Sequence, residues 1–377
     1  MIYFDNAATT APLPTAIKKF EEVNAFAFGN AASNHAFGLQ AKRILDEARE
    51  SILKSLSLEK THSLVFTSGA TESNNLALKG LALHYANRGK KIITSSIEHP
   101  SVLRPLYDLR DHFGFELVVL PVNSEGVVTP EALEAAMDEK VILVSLMAVN
   151  NEIGSIFDLT ALAAIVHQHK KAFFHVDATQ AMCKLAFPYG ICDLLSYSGH
   201  KFGAFKGTGA LLYRKNIVFE PQNEGGEQEF GLRAGTSNVA GNAALALAQT
   251  EGLRNLIKHE ETVRPLNEEL RRYLRGKDGV LINSPESASP YVLNFSLTRK
   301  KASVVVEALS NREIYVSSVS ACSSKVAPFS YVVDAETGDR QRAENSIRLS
   351  FSALNTMDEV LAFEKAFDEI IEEVKDR

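Results

Sequence analysis

The chain has 377 residues, a formal net charge of −6, 45% hydrophobic and 23% charged residues, ordinary values for a folded globular protein. It has no basic stripe of the kind nucleic-acid binders carry, and no apolar run near the ~18 residues of a membrane span. No basic segment precedes an apolar one at the amino terminus, so neither a signal peptide nor direct nucleic-acid or membrane contact is expected.

From about residue 13 to 212 short β-rich runs alternate with amphipathic stretches. Strands are expected at 63–66, 91–94, 116–120, 141–145, 172–176, 193–196 and 209–213, with helices at 36–56, 72–87 and 159–169 between them. Alternation with short links predicts an α/β fold, a mostly parallel central sheet flanked by helices. The run 141–145 is apolar nearly throughout, as a strand buried on both faces should be. A Gly-rich stretch at 225–235 breaks the rhythm, and one long helix is expected over 239–274. Beyond it lie strands at 293–296 and 346–351, a helix at 301–309 and a closing amphipathic helix. We expect a large α/β domain over 13–250 and a smaller α+β domain formed by 1–12 together with 251–377.

Lys201 stands in Ser198-Gly199-His200-Lys201-Phe202-Gly203, just after a predicted strand, and Asp177 ends another in His175-Val176-Asp177-Ala178-Thr179-Gln180. Open α/β sheets bind ligands at the carboxyl ends of their strands. A pyridoxal cofactor needs a lysine for its Schiff base and a carboxylate against its pyridine nitrogen, and this pair could supply both. The turn Thr67-Ser68-Gly69-Ala70-Thr71-Glu72 leads from a strand into a helix, either as a phosphate site on free backbone N–H groups or as a plain helix cap with Thr71 capping. His99, in Glu98-His99-Pro100, could stack on a planar ligand and move protons near neutral pH.

Three cysteines are too few and too scattered for a disulfide framework, which favours the reducing cytoplasm. Cys183 and Cys192 lie among apolar residues and read as inert core thiols. Cys322 lies among small polar neighbours, Ser320-Ala321-Cys322-Ser323-Ser324-Lys325, as an exposed reactive thiol would; Lys325 could help lower its pKa.

Together these motifs resemble those of the cysteine desulfurases of the NifS/IscS type, in the class-V aminotransferase group of fold type I. The resemblance runs from Phe4-Asp5-Asn6-Ala7-Ala8-Thr9-Thr10 through Phe66–Asn75, Asn150-Asn151-Glu152-Ile153-Gly154, the Asp177 and Lys201 motifs and Arg233-Ala234-Gly235-Thr236, to Ser320-Ala321-Cys322 and Ile347-Arg348-Leu349-Ser350. It implies removal of sulfur from L-cysteine, leaving L-alanine and a persulfide on Cys322. Lys201 would hold pyridoxal 5'-phosphate and move the Cα proton. Asp177 would face the ring nitrogen, Gln180 the ring hydroxyl, and His99 the ring face. Ala70, Thr71, Ser198 and His200 would hold the phosphate, with Thr236 arriving from the second subunit of a homodimer. Asn151 and Arg348 would face the substrate.

The resemblance further implies sulfur-acceptor or iron–sulfur scaffold proteins as partners, iron–sulfur cluster assembly or tRNA thiolation as destinations, and no bound metal. The spacing from Cys322 to Arg348 resembles the long-loop members. Val319 stands where glycine is usual, and Ala204-Phe205 where Gly-Pro is common. An aminotransferase or a selenocysteine lyase on the same scaffold is the alternative; transamination needs no thiol, so Cys322 speaks against it.

Overall fold

The computed structural model describes residues 1–318 and 329–376; Val319, Cys322 and Lys325 lie outside the described residues. In chain order the strands are β1 (Ile2–Tyr3), β2 (His62–Thr67), β3 (Lys91–Ser95), β4 (Glu116–Leu120), β5 (Val141–Met147), β6 (Phe173–Asp177), β7 (Leu194–Ser198), β8 (Gly209–Arg214), β9 (Val280–Ile282), β10 (Val292–Leu297), β11 (Ile314–Tyr315), β12 (Ser317–Ser318) and β13 (Ser346–Ser350).

Seven of them form one sheet in the order β2-β8-β7-β6-β5-β3-β4. The pairings β7/β6, β6/β5, β5/β3 and β3/β4 are parallel, while β8 runs antiparallel to both β2 and β7. The mostly parallel sheet expected from sequence is therefore present, with β8 reversed. All seven residues of β5, Val141–Met147, are buried, as a central strand covered on both faces requires. Helices Ala36–Ser55, Pro100–Phe113, Leu159–Val166 and Val239–Arg254 supply apolar faces to the clusters that cover this sheet.

A second, antiparallel sheet has the order β12-β13-β10-β9. Its core is a separate apolar cluster in which Phe4 joins Leu266, Leu270, Phe295, Phe351, Phe363 and Phe367. The amino-terminal strand β1 pairs with β11, and the next residue, Phe4, packs on Phe363 of the last helix, so the start of the chain is built into the small domain's core. Asn6 Nδ2 donates to the backbone oxygens of Tyr3 and Ser350, and Ala7 N donates to Ser350 Oγ. These bonds fix the carbonyls of Ala7 and Ala8 in the space between the two sheets.

Two expected helices differ from their sequence reading. The segment 239–274 is two helices, Val239–Arg254 and Leu256–Arg275, meeting at Asn255. Asn255 turns its side chain back on the Glu251 carbonyl at 3.0 Å, the local bonding that makes Asn a poor helix interior residue. Over 72–87 the helix begins earlier, at Ala70, and is interrupted by a π-turn at Leu76–Gly80 before Leu81–His84. Thr71 is not its cap. Gly69 is, at φ 153°, without a side-chain bond.

Candidate active site

Four parallel strands and β2 end on one side of the large sheet, and each end delivers a polar group to a cavity of about 420 Å³. Ala70 and Thr71 follow β2, His99 follows β3, and Asn151 follows β5. Asp177 and Gln180 come from the end of β6, and Ser198, His200 and Lys201 from the end of β7. Arg348, on β13 of the small sheet, closes the opposite wall. The volume lies within the ~300–1,000 Å³ typical of small-molecule sites.

Asp177 is 6% exposed. Its Oδ2 accepts from Asn74 Nδ2 at 2.8 Å and its Oδ1 from the Thr179 backbone N–H at 3.0 Å. Asn74 Nδ2 also donates to Ser101 Oγ at 2.9 Å, and Ser101 Oγ is 2.8 Å from His99 Nδ1. A hydrogen-bonded chain thus runs Asp177–Asn74–Ser101–His99. His99 caps helix Pro100–Phe113, its Nδ1 accepting from the Ser101 backbone N–H at 3.1 Å. That acceptor role places the ring proton of neutral His99 on Nε2. The imidazole is exposed toward the cavity but crowded by protein around it, and the loss of solvent pushes its pKa below the ordinary histidine value; Lys201 adds to the fall and Asp177 opposes it. His99 is thus neutral near pH 7.

Lys201 Nζ donates to the Ala7 and Ala8 carbonyls at 2.7 and 2.8 Å. Gln180 Nε2 donates to the same Ala7 oxygen at 2.9 Å. His200 Nδ1 lies 3.2 Å from Thr9 Oγ1, and burial with Lys201 beside it pushes its pKa down to about 4. Ser198 Oγ accepts the Ala70 N–H at 2.7 Å, joining the turn after β2 to the end of β7. That turn is tight: a Cβ on Gly209 would stand 2.5 Å from Gly69 Cα and 2.7 Å from Tyr197 O.

Arg348 is 7% exposed. Its Nη1 donates to Asn151 O at 2.9 Å and its Nη2 to Asp5 Oδ1 at 2.7 Å. Ser317 pairs with Arg348 across β12 and β13, and both line the cavity. Tyr331 lines it too, its hydroxyl donating to Glu98 O at 2.6 Å. Ser317 and Tyr331 stand on either side of residues 319–328 in the sequence.

The family model for Aminotransferase class-V matches residues 2–363. The chain belongs to the class-V aminotransferases. It is 39% identical over 375 residues to a NifS/IcsS protein homolog of Lactobacillus delbrueckii subsp. bulgaricus, covering 98% of this chain and 97% of that protein. To the cysteine desulfurase IscS of Dictyoglomus turgidum it is 36% identical, over 99% and 95% of the two chains. A solved NifS-like protein superposes with a TM-score of 0.91 at 35% identity, covering 99% of this chain and all of the other. Within the class-V aminotransferases the chain thus belongs to the NifS/IscS group.

Enzymes of this family use pyridoxal phosphate, and the cavity's chemistry suits that group. A buried carboxylate, a lysine, a neutral imidazole and an amide line one wall space. Thr179 Oγ1 and Arg348 Nε are buried with no hydrogen-bond partner, and both residues line the cavity. Of the residues singled out from sequence, Ala70, Thr71, His99, Asn151, Asp177, Gln180, Ser198, His200, Lys201 and Arg348 all meet here. Thr236 does not; it is exposed and outside the cavity wall. Sequence reasoning assigned no role to Asn74, Ser101 or Tyr331, although Asn74 stands inside the Phe66–Asn75 motif.

Cys183 and Cys192 are buried, and burial pushes both thiols far above their ordinary range. Among the described residues no helix is long and apolar enough to cross a membrane.

Proposed function

We propose that this chain is a pyridoxal-phosphate-dependent cysteine desulfurase, and that Cys322 receives the sulfur. One observation carries the reading. Lys201, Asp177, His99, Gln180 and Arg348, drawn from two sheets, line a single cavity in a chain similar to proteins called cysteine desulfurases.

When bound, the cofactor supplies a sink for the electrons released at the substrate Cα. Lys201 would be the amine that holds it and moves the Cα proton. Asp177, itself held by Asn74 and the Thr179 N–H, would keep a proton on the ring nitrogen. Neutral His99 would lie against the ring, and Gln180 would donate to the ring oxygen. Ala70, Thr71, Ser198 and His200 would hold the phosphate, with Thr236 contributed by the other copy of a homodimer. Thr236 is exposed, and so is Phe230 in the neighbouring Gly-rich stretch, at 63%. Arg348 grips the substrate carboxylate with its fork while Asn151 faces the same ligand.

The Cys322 thiolate takes the substrate sulfur: the Cβ–S bond breaks, an S–S bond forms, and Cβ gains a proton. L-Cysteine and one thiol become L-alanine and one persulfide, with no external oxidant. Ser317 and Tyr331, which precede and follow the Cys322 segment in the sequence, both line the cavity, and this supports the role. The persulfide passes to an acceptor or iron–sulfur scaffold protein in the cytoplasm. The same reading divides the chain into a domain over 13–250 and one formed by 1–12 with 251–377; the small sheet's cluster lies within the second, while Val332, Val333 and Ala343 cross over to the large sheet's cluster.

The test is to mix purified, cofactor-loaded protein with L-cysteine and dithiothreitol and assay sulfide and alanine beside Cys322→Ala and Lys201→Ala. Equimolar products, lost in both variants, are expected. Amino transfer to a keto acid without sulfide would overturn the proposal in favour of transamination.

A further inference from the structure

Lys184 is a buried charged side chain that none of the roles above uses. It is 7% exposed, and its Nζ donates to Gln180 Oε1 at 3.1 Å. The ammonium also lies 5.8 Å from the centre of the Tyr291 ring. Burial pushes its pKa down to about 7; Lys201 and Arg348 act the same way, and only Cys183 opposes them. No carboxylate contributes. On its far side Lys184 borders a second cavity of about 350 Å³, whose wall also includes Lys201, Glu251 and His259. Burying an ammonium without an anionic partner is unfavourable, so the fold keeps it at a cost in stability.

Gln180 is the link between Lys184 and the main cavity. Its Oε1 accepts from Lys184, and its Nε2 donates to Ala7 O at 2.9 Å. The reversed amide would set Nε2 against the ammonium and Oε1 against a carbonyl oxygen, so both contacts select the same orientation. One Nε2–H then remains on a side chain that lines the cavity. A cation on Oε1 also draws electron density along the amide and strengthens that remaining donor.

We infer that Lys184 is a positioning residue: it locks and polarises the Gln180 amide as a hydrogen-bond donor toward an anionic oxygen of the bound cofactor. This rests on the cofactor assignment proposed above. The amine reaches the bound molecule only through Gln180. Even the neutral amine keeps an N–H for Oε1, so the lock outlasts the charge and only the polarisation weakens above neutral pH.

The experiment titrates pyridoxal phosphate into apoprotein by visible absorbance for the parent, Lys184→Met and Lys184→Arg, and melts each apoprotein. The parent must load; its failure to do so would count against the cofactor assignment itself, separately from this inference. Lys184→Met is expected to bind about tenfold more weakly, equivalent to about 1.4 kcal/mol. A nearby cation favours the deprotonated ligand, so its removal should raise the pH midpoint of the visible band by about one unit. The Lys184→Met apoprotein should melt no lower than the parent, because an unpaired buried cation has been replaced by an apolar chain. Lys184→Arg, which keeps the charge, should recover most of the affinity. Parent-like affinity and midpoint in Lys184→Met would overturn the inference. So would a loss of affinity that tracks a lower apoprotein melting temperature and is not recovered by arginine.

Discussion

Arg348 Nη2 donates to Asp5 Oδ1 at 2.7 Å, tying the last strand of the small sheet to the segment that follows β1. The guanidinium side chain is 8% exposed and Asp5 23%, so the pair is screened only in part. Asp5 takes one edge of the fork and Asn151 O another, while Nε keeps a buried, unpartnered hydrogen. Asp5→Asn keeps the shape and removes the charge. It should lower apoprotein stability by about 1.5–3 kcal/mol in urea unfolding, the range for hydrogen bonds to charged groups. An unchanged midpoint would mean that Arg348 draws its support from Asn151 alone.

Asp177→Asn tests the hydrogen-bonded chain to His99. Both oxygens of Asp177 accept, one from Asn74 Nδ2 and one from the Thr179 N–H. An asparagine amide must turn its own donor toward one of those donors, so one contact becomes repulsive. Activity should fall on the order of 10²-fold or more, as when a preorganised charge is removed from an active site. Retained activity with normal cofactor loading would argue against Asp177 facing the ring nitrogen.

Strand ends account for much of what could be read from the sequence. Val141–Met147 is apolar but for Ser145, its neighbours are short β-rich runs, and the expected carboxyl ends fell within two residues of the observed ones. Because Asp177, Lys201 and His99 sit at or within a few residues of such ends, locating the strands also located them, whereas Arg348 lies mid-strand in β13. The reversed direction of β8 was not legible, since a fully buried strand carries the same pattern either way. Strands β1, β11 and β12 are two residues each, too short for any period to register. Asn74 and Ser101 were invisible as site residues because their role lies in a contact across 27 positions. Phe205, which departs from the family pattern, packs its ring 4.7 Å from that of Phe20, a local repacking that a motif comparison cannot supply.

Gly209→Ala tests the tight approach between β8 and the turn after β2. The added methyl meets backbone atoms of Gly69 and Tyr197, which cannot rotate away as a side chain would. Overpacking of this kind costs about 1–3 kcal/mol. The turn that presents Ala70 and Thr71 should shift with it, so cofactor retention on a desalting column should drop along with the melting temperature. Parent-like retention would show that the turn tolerates the displacement.

Glu98 sets a pH dependence. Its carboxyl is buried, and desolvation pushes its pKa up to about 8 against hydrogen bonds from Ser95 Oγ and the Met147 N–H, with Asp177 adding to the rise. A carboxyl with a raised folded-state pKa stabilises the fold fully below its unfolded value of 4.5, and that stability is lost as pH rises toward 8. In that window the folded state holds a proton that the unfolded state has released, a slope of at most about 1.4 kcal/mol per pH unit. Glu98→Gln, neutral throughout, should flatten the fall in apoprotein stability between pH 5 and 8. Identical slopes for the two proteins would remove Glu98 from the account.

The two described thiols should be silent toward reagents that attack thiolates. Cys183 and Cys192 are buried, and burial raises both far above the range in which a thiolate forms near neutral pH. Cys183 borders the second cavity, but its Sγ faces the Gln249 carbonyl at 3.6 Å and its burial keeps it in the unreactive thiol form. Native protein treated with a maleimide and digested should carry the label on the peptide containing Cys322 alone. Brief denaturation should then label all three cysteines. Native labelling of Cys183 or Cys192 would mean that the interior opens readily, and a persulfide found there could no longer be assigned to Cys322 by exclusion.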